Sequence, residues 1–234
     1  MRTFIVWDII NRIENAPKEF IGQRKVSLLN SFLFGYDCIY LEVQDEDKLK
    51  EKYKDIPSLD EYIRNKYRAD HIGSRNFGSI ISFLCEDERD YFFNYLAHLK
   101  EYEQQFPIEE PIVYVLRNMP RIDLKELLAA IRKRYRMYLP DNSLANLRAF
   151  LSGHFQCKKD YHLSLTAFES GIIAFTEQIV CKDLNLTGEY VTWDRKYRYD
   201  RDWNSWGETD ESDAKKILDS FWKDLEKFTN EIIE

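Results

Sequence analysis

The chain has 234 residues, 44% of them apolar and 15% aromatic, with eight glycines and six prolines. That is enough apolar matter for one large core or two ordinary ones, and it excludes a disordered or low-complexity protein. The net charge of −7 disfavours general nucleic-acid binding and suits a basic partner, and no apolar run approaches the length of a membrane span.

Residues 3–15 carry Phe4, Val6, Ile9, Ile10 and Ile13 near helical period, which predicts a first helix stopped by Pro17. Gly22 marks a turn. Val26, Leu29, Phe32 and Leu33 predict a second helix with Gly35 as its C-cap. The charged stretch from Asp45 to Asp55 reads as a solvated helix or loop. Ser58, followed by Glu61 three residues on, reads as the N-cap of a helix through Tyr62, Ile63 and Tyr67. An apolar run from Ile80 to Leu84 follows. Glu86, Asp87 and Glu88 then precede a periodic stretch of Tyr91, Phe92, Tyr95, Leu96, Leu99 and Tyr102. Those acidic residues suit a helix start and offer a surface to a basic partner. Pro107 and Pro111 bracket a boundary, and Ile112 to Leu116 reads as a short strand or an extended link.

Beyond the boundary the plan returns. Leu124 to Ile131 predict a helix, Asn142 or Ser143 caps the next, and Gly153 closes it. Thr166 to Val180 form a third, residues 188–208 an irregular segment, and Asp210 to Asp213 open a last helix carrying Ile217, Leu218, Phe221, Leu225 and Phe228. Ile131, Leu147, Phe150, Leu151 and Gly153 repeat Ile13, Leu29, Phe32, Leu33 and Gly35, each pair 118 positions apart without a gap. The last helix repeats the stretch before the boundary at an offset near 126. The expected fold is mainly α: two tandem, structurally similar helical units of roughly 110–118 residues, with room for short strands. Unit one spans 1–106, a linker spans 107–120, and unit two spans 121–234.

Arg134-Tyr135-Arg136-Met137-Tyr138-Leu139-Pro140, then Ser143-Leu144 and the run from Leu147 to Gly153, resemble a pattern of bacterial immunity proteins encoded beside polymorphic or contact-delivered toxins: R-P-x-M-Y-[IL]-G followed by S-L-x-x-L-x-x-F-L-x-G-Y. The first unit is similar in another part of the pattern, with Ala16-Pro17-Lys18-Glu19-Phe20-Ile21-Gly22 and Phe32-Leu33-Phe34-Gly35-Tyr36. Ser205-Trp206 and Phe221-Trp222 look like the family's C-terminal end. The resemblance implies a non-catalytic antitoxin, in tandem form, that binds a cognate toxin, and the net charge of −7 suits a basic one. A helical adaptor or scaffold and a nucleic-acid- or nucleotide-processing enzyme are the alternative readings.

The segment from Tyr190 to Trp206 is the candidate partner-binding surface. It holds Tyr190, Trp193, Tyr197, Tyr199, Asp200, Asp202, Trp203 and Trp206 among Arg195, Lys196, Arg198 and Arg201, and Tyr, Trp and Arg are the residue types enriched at interface hot spots. The interspersed aspartates weigh against single-stranded nucleic acid. The basic run from Arg132 to Arg136 reads as an exposed helix end or a phosphate contact. His154, Cys157, His162 and Cys181 are zinc-ligand types at loose spacing, so no metal or other cofactor is assigned. No nucleophile motif is present, and Gly73 to Ser79 lacks the Gly-Lys-[Ser/Thr] of a phosphate loop, so no catalytic residue is assigned. Four unpaired-looking cysteines and the lack of a cleavable leader suggest a cytoplasmic protein.

Overall fold

The computed structural model describes residues 5–43, 55–68, 77–106, 123–141, 143–178, 211–230 and 233, and every element among them is a helix. α1 (Ile5–Asn15) buries Ile9, Ile10 and Ile13, three side chains that one helical stripe brings to one face. Ala16 breaks it at φ −135, ψ 58, and the short α2 (Pro17–Phe20) starts again with Pro17 in its first turn, where the missing N–H costs nothing. Gly22 turns the chain with φ +80, and its N–H and that of Ile21 both donate to Pro17 O at 2.9 Å. α3 (Val26–Val43) follows, and the Glu88 carboxylate accepts its Val26 N–H at 3.3 Å.

α4 (Leu59–Tyr67) begins at Ser58, whose hydroxyl accepts the Glu61 N–H, as the sequence indicates. The apolar run around Ile80 is α5 (Phe77–Phe83), which leaves Phe83 largely exposed and buries Phe77, Ile80 and Ile81. α6 (Glu88–Gln105) is capped by Asp87, which accepts from the Asp90 N–H at 2.7 Å.

A similar succession of short elements begins at Leu124. α7 (Leu124–Lys133) is capped by Asp123, Arg134 breaks it at φ −137, ψ 53, and α8 (Tyr135–Tyr138) follows. Ser143 then caps α9 (Leu144–Asp160). α10 (Ala167–Gln178) and α11 (Glu211–Thr229) complete the described helices. Arg132 of α7 donates to Glu226 of α11 at 2.6 Å and to the Ile233 carbonyl, while Glu226 also accepts the Ile233 N–H at 3.0 Å, which ties the residues after α11 back to α7.

α3 and α9 form the most extensive helix pair in the fold. Neither glycine ends its helix: α3 runs eight residues past Gly35, to Val43, and α9 runs seven past Gly153, to Asp160. The expectation of two C-caps is therefore corrected. Both glycines lie where the helices cross, and a Cβ on Gly35 would stand 1.9 Å from the Phe150 carbonyl oxygen, one on Gly153 1.9 Å from that of Phe32. The missing side chains allow backbone to touch backbone.

Two apolar clusters flank this crossing. One is built mainly from residues 9–102 and takes in Ala149 and Cys157 of α9. The other is built from residues 124–233, with Phe34 and Cys38 of α3 packed against it. Each central helix thus serves both cores. Among the described residues no strand occurs; Asp45 to Lys54, the linker 107–120 with its expected strand, and the segment 188–208 lie outside them.

Candidate functional site

The corner between α9 and α10 brings together three of the buried polar side chains, His154, Lys158 and Glu169. α9 ends in a turn where Tyr161 N donates to Cys157 O and Leu163 N to Lys158 O, with His162 in the left-handed region at φ +55. Residues 163–166 run without helix to Thr166, which caps α10. Thr166 Oγ1 accepts the Glu169 N–H at 3.2 Å, and Glu169 Oε2 accepts the Thr166 N–H at 2.7 Å, a complete capping box. His154 and Lys158, one turn apart on α9, reach the same carboxylate: Nε2 lies 2.7 Å from Oε1 and Nζ 2.6 Å from Oε2. Lys158 also donates to the Ser164 carbonyl at 3.3 Å.

The side chains of His154 and Glu169 are each 3% exposed and that of Lys158 11%. Burial alone would push the Glu169 carboxyl up. The hydrogen bonds from His154, Lys158 and the Thr166 N–H outweigh it and hold the group down at about 2. A carboxylate orienting an imidazole is a familiar arrangement for base catalysis. Here, however, the other ring nitrogen, Nδ1, is buried with no hydrogen-bond partner among the described residues. His154 Nδ1 apart, the polar atoms of the three groups are engaged with one another and with backbone, and all three side chains are nearly closed from solvent, so the corner ties α9 to α10.

Among the described residues, polar contacts at three places link the two halves of the chain. Asp160, at the end of α9, accepts from Arg12 at 3.2 Å, from the Tyr36 hydroxyl at 3.1 Å and from Gln156 at 2.8 Å. Burial, and then the neighbouring Cys157 and Asp160, push the Tyr36 hydroxyl far above its ordinary value, so it is a permanent donor. Ser31 Oγ lies 2.7 Å from Asn146 Oδ1, and the Asn146 amide donates to Asp141 at 2.6 Å. Arg148 Nη2 donates to the Ile21 carbonyl at 2.8 Å from a nearly buried guanidinium.

Neither a family model nor any curated protein or solved structure matches the chain. The eight residues assigned to partner binding, Tyr190, Trp193, Tyr197, Tyr199, Asp200, Asp202, Trp203 and Trp206, lie outside the described residues. Of the zinc-ligand types, Cys157 is fully buried in the first apolar cluster, His154 is engaged by Glu169, His162 is exposed and Cys181 is not described. Among the described residues no three His, Cys, Asp or Glu side chains gather as a metal site would require. In the basic run, Arg132 is occupied by Glu226 and Ile233, and in the acidic run Asp87 caps α6 while Glu88 caps α3.

Glu169 is the residue that sequence reading passed over. Two signals point to it: Thr166 and Glu169 have capping-box spacing, and His154 and Lys158 are four apart, on one face of a helix. No described helix is long and apolar enough to cross a membrane.

Proposed function

We propose that the protein is a non-catalytic binding protein of the immunity type, which acts in the cytoplasm and neutralises a cognate toxin by occluding it. The observation that carries this reading is the closed state of a buried polar cluster: Glu169 engages both His154 and Lys158 in the interior, and the one polar atom left over, His154 Nδ1, is sealed from solvent. The buried side chains that link the halves are likewise used for packing, which is the economy of a scaffold whose outer surface does the work. The sequence pattern shared with immunity proteins supports the same reading, and the net charge of −7 would speed encounter with a basic toxin. The aromatic and arginine-rich stretch from Tyr190 to Trp206 is the proposed contact surface.

The decisive experiment looks for a toxin-like gene beside the one encoding this chain and pairs the purified chain with its product. Titration calorimetry should give a Kd tighter than about 100 nM, with stoichiometric loss of toxin activity. Trp203→Ala and Tyr199→Ala should each weaken binding about tenfold or more while leaving the helical spectrum unchanged. A neighbourhood without a toxin gene, or no binding at about 10 μM, would refute the reading and favour a helical adaptor.

A further inference from the structure

Among the described residues, four helices in the first half have counterparts in the second: α1 and α7 end 118 positions apart, at Asn15 and Lys133. α2 and α8 coincide end to end at an offset of 118, and α3 and α9 start at the same offset, at Val26 and Leu144. Ala16 and Arg134, which break the chain before α2 and α8, share nearly the same φ and ψ. The fourth pair is shifted to 126: Phe92, Tyr95 and Leu99 of α6 are buried, and so are Leu218, Phe221 and Leu225 of α11. α6 packs on α3 as α11 packs on α9.

A repeat along a chain does not say how its copies are arranged in space, but the glycine contacts do. The Gly35 Cβ position lies 1.9 Å from Phe150 O and 3.0 Å from His154 N; the Gly153 Cβ position lies 1.9 Å from Phe32 O and 3.0 Å from Tyr36 N. Each of these residues is the 118-offset counterpart of the one it replaces. Only a two-fold rotation makes one copy touch the other through the same residues by which it is touched. We infer that the chain is a fused, quasi-symmetric dimer: α3 and α9 cross on an internal two-fold axis, and the face around Gly35 and Gly153 is a homodimer interface kept inside one chain and made selective by polar contacts that occur on one side of the axis only.

The selectivity lies in the departures from symmetry. The Arg148 guanidinium lies over Gly22, where a Cβ would stand 2.0 Å from Nη2. The counterpart of Gly22 is Pro140, so pairing two second halves would drive Arg148 into a proline ring. Asn146 meets Ser31, whose counterpart is Ala149, so the same pairing would leave a buried carboxamide facing a methyl group. Two first halves would set Leu28 where Asn146 stands, and Ser31 would lose that contact. The first half therefore accepts the second and rejects itself by a lesser margin than the second rejects itself. This inference stands apart from the proposed toxin binding.

A two-fold axis makes the gap from second half to first equal to the gap from first to second. A reordered chain, running 121–234, then 107–120, then 1–106, uses every residue once and asks the same segment to span that gap. It should be a monomer with an unchanged far-ultraviolet spectrum and a Tm within about 5 °C of the natural order. An unfolded, aggregated or domain-swapped product would overturn the axis. In the natural order, a protease site placed in 107–120 allows the full chain to be cut, unfolded and refolded as a mixture. Native mass spectrometry should then show first-half with second-half pairs alone. Second-half homodimers, or halves that stay separate, would overturn the selective interface.

Discussion

Gly35→Ala tests the helix crossing most directly. The new methyl carbon would lie 1.9 Å from the Phe150 carbonyl oxygen, against an ordinary contact of 3.4 Å or more, so relief requires about 1.5 Å of movement. The obstacle is backbone inside a helix, and it cannot move without α9. Separating α3 from α9 by that much loosens Phe32, Tyr36, Phe150 and His154 together, and a gap of that order forfeits half or more of each dispersion contact across it. Overpacking in a core costs about 1–3 kcal/mol, and the separation adds to it. The gain in helix propensity from Gly to Ala returns only about 1 kcal/mol. The expected net loss is about 3 kcal/mol. Urea unfolding followed by far-ultraviolet circular dichroism should show a midpoint lowered by about 1 M or more. A midpoint equal to or above that of the natural protein would refute the argument, because it would mean that the helices do not touch at Gly35.

Gly153→Ala should cost the same within about 1 kcal/mol, and the double variant should cost clearly less than the two losses added, since one separation of the helices relieves both clashes. Gly171→Ala is the contrasting case: its Cβ position is 3.3 Å from the tip of the Thr229 side chain, so a shift of about a tenth of an ångström suffices, and the same melts should show no loss and a gain of up to about 1 kcal/mol. Glu169→Gln leaves the buried Lys158 ammonium without its counter-charge and should lower stability by about 3–5 kcal/mol, read from the same denaturant curves. The acid limb carries the matching signature. The Glu169 carboxyl is held at about 2 in the folded chain against an ordinary 4.5, so its stabilisation, on the order of 3 kcal/mol, is complete above about pH 4.5 and is lost as pH falls from there to about 2. The stability difference between the natural protein and Glu169→Gln should shrink across that window, and a difference independent of pH would show that the carboxylate is not charged in the core. Arg132→Ala should loosen the Glu226–Ile233 contact and speed hydrogen exchange at the Ile233 amide, with the rate followed by nuclear magnetic resonance.

The helical class and most of its elements were legible in the residues themselves. The 3.6-residue spacing of Ile9, Ile10 and Ile13 or of Leu218, Phe221 and Leu225, together with Ser58, Asp87 and Ser143 at helix starts, specifies local structure through burial and capping, both of which act within a few turns. Tertiary contact decided the rest. Gly35 and Gly153 carry the local signature of helix ends, yet a partner helix pressed against them makes the missing Cβ a packing requirement and the helices continue. His154, Lys158 and Glu169 carry the types of a reactive or metal-binding group, yet the turn after α9 folds a capping carboxylate onto them and closes them from solvent. Sequence determines which residues seek the interior; only the three-dimensional neighbours determine whether a glycine ends a helix or joins two, and whether a charged cluster performs chemistry or holds a corner.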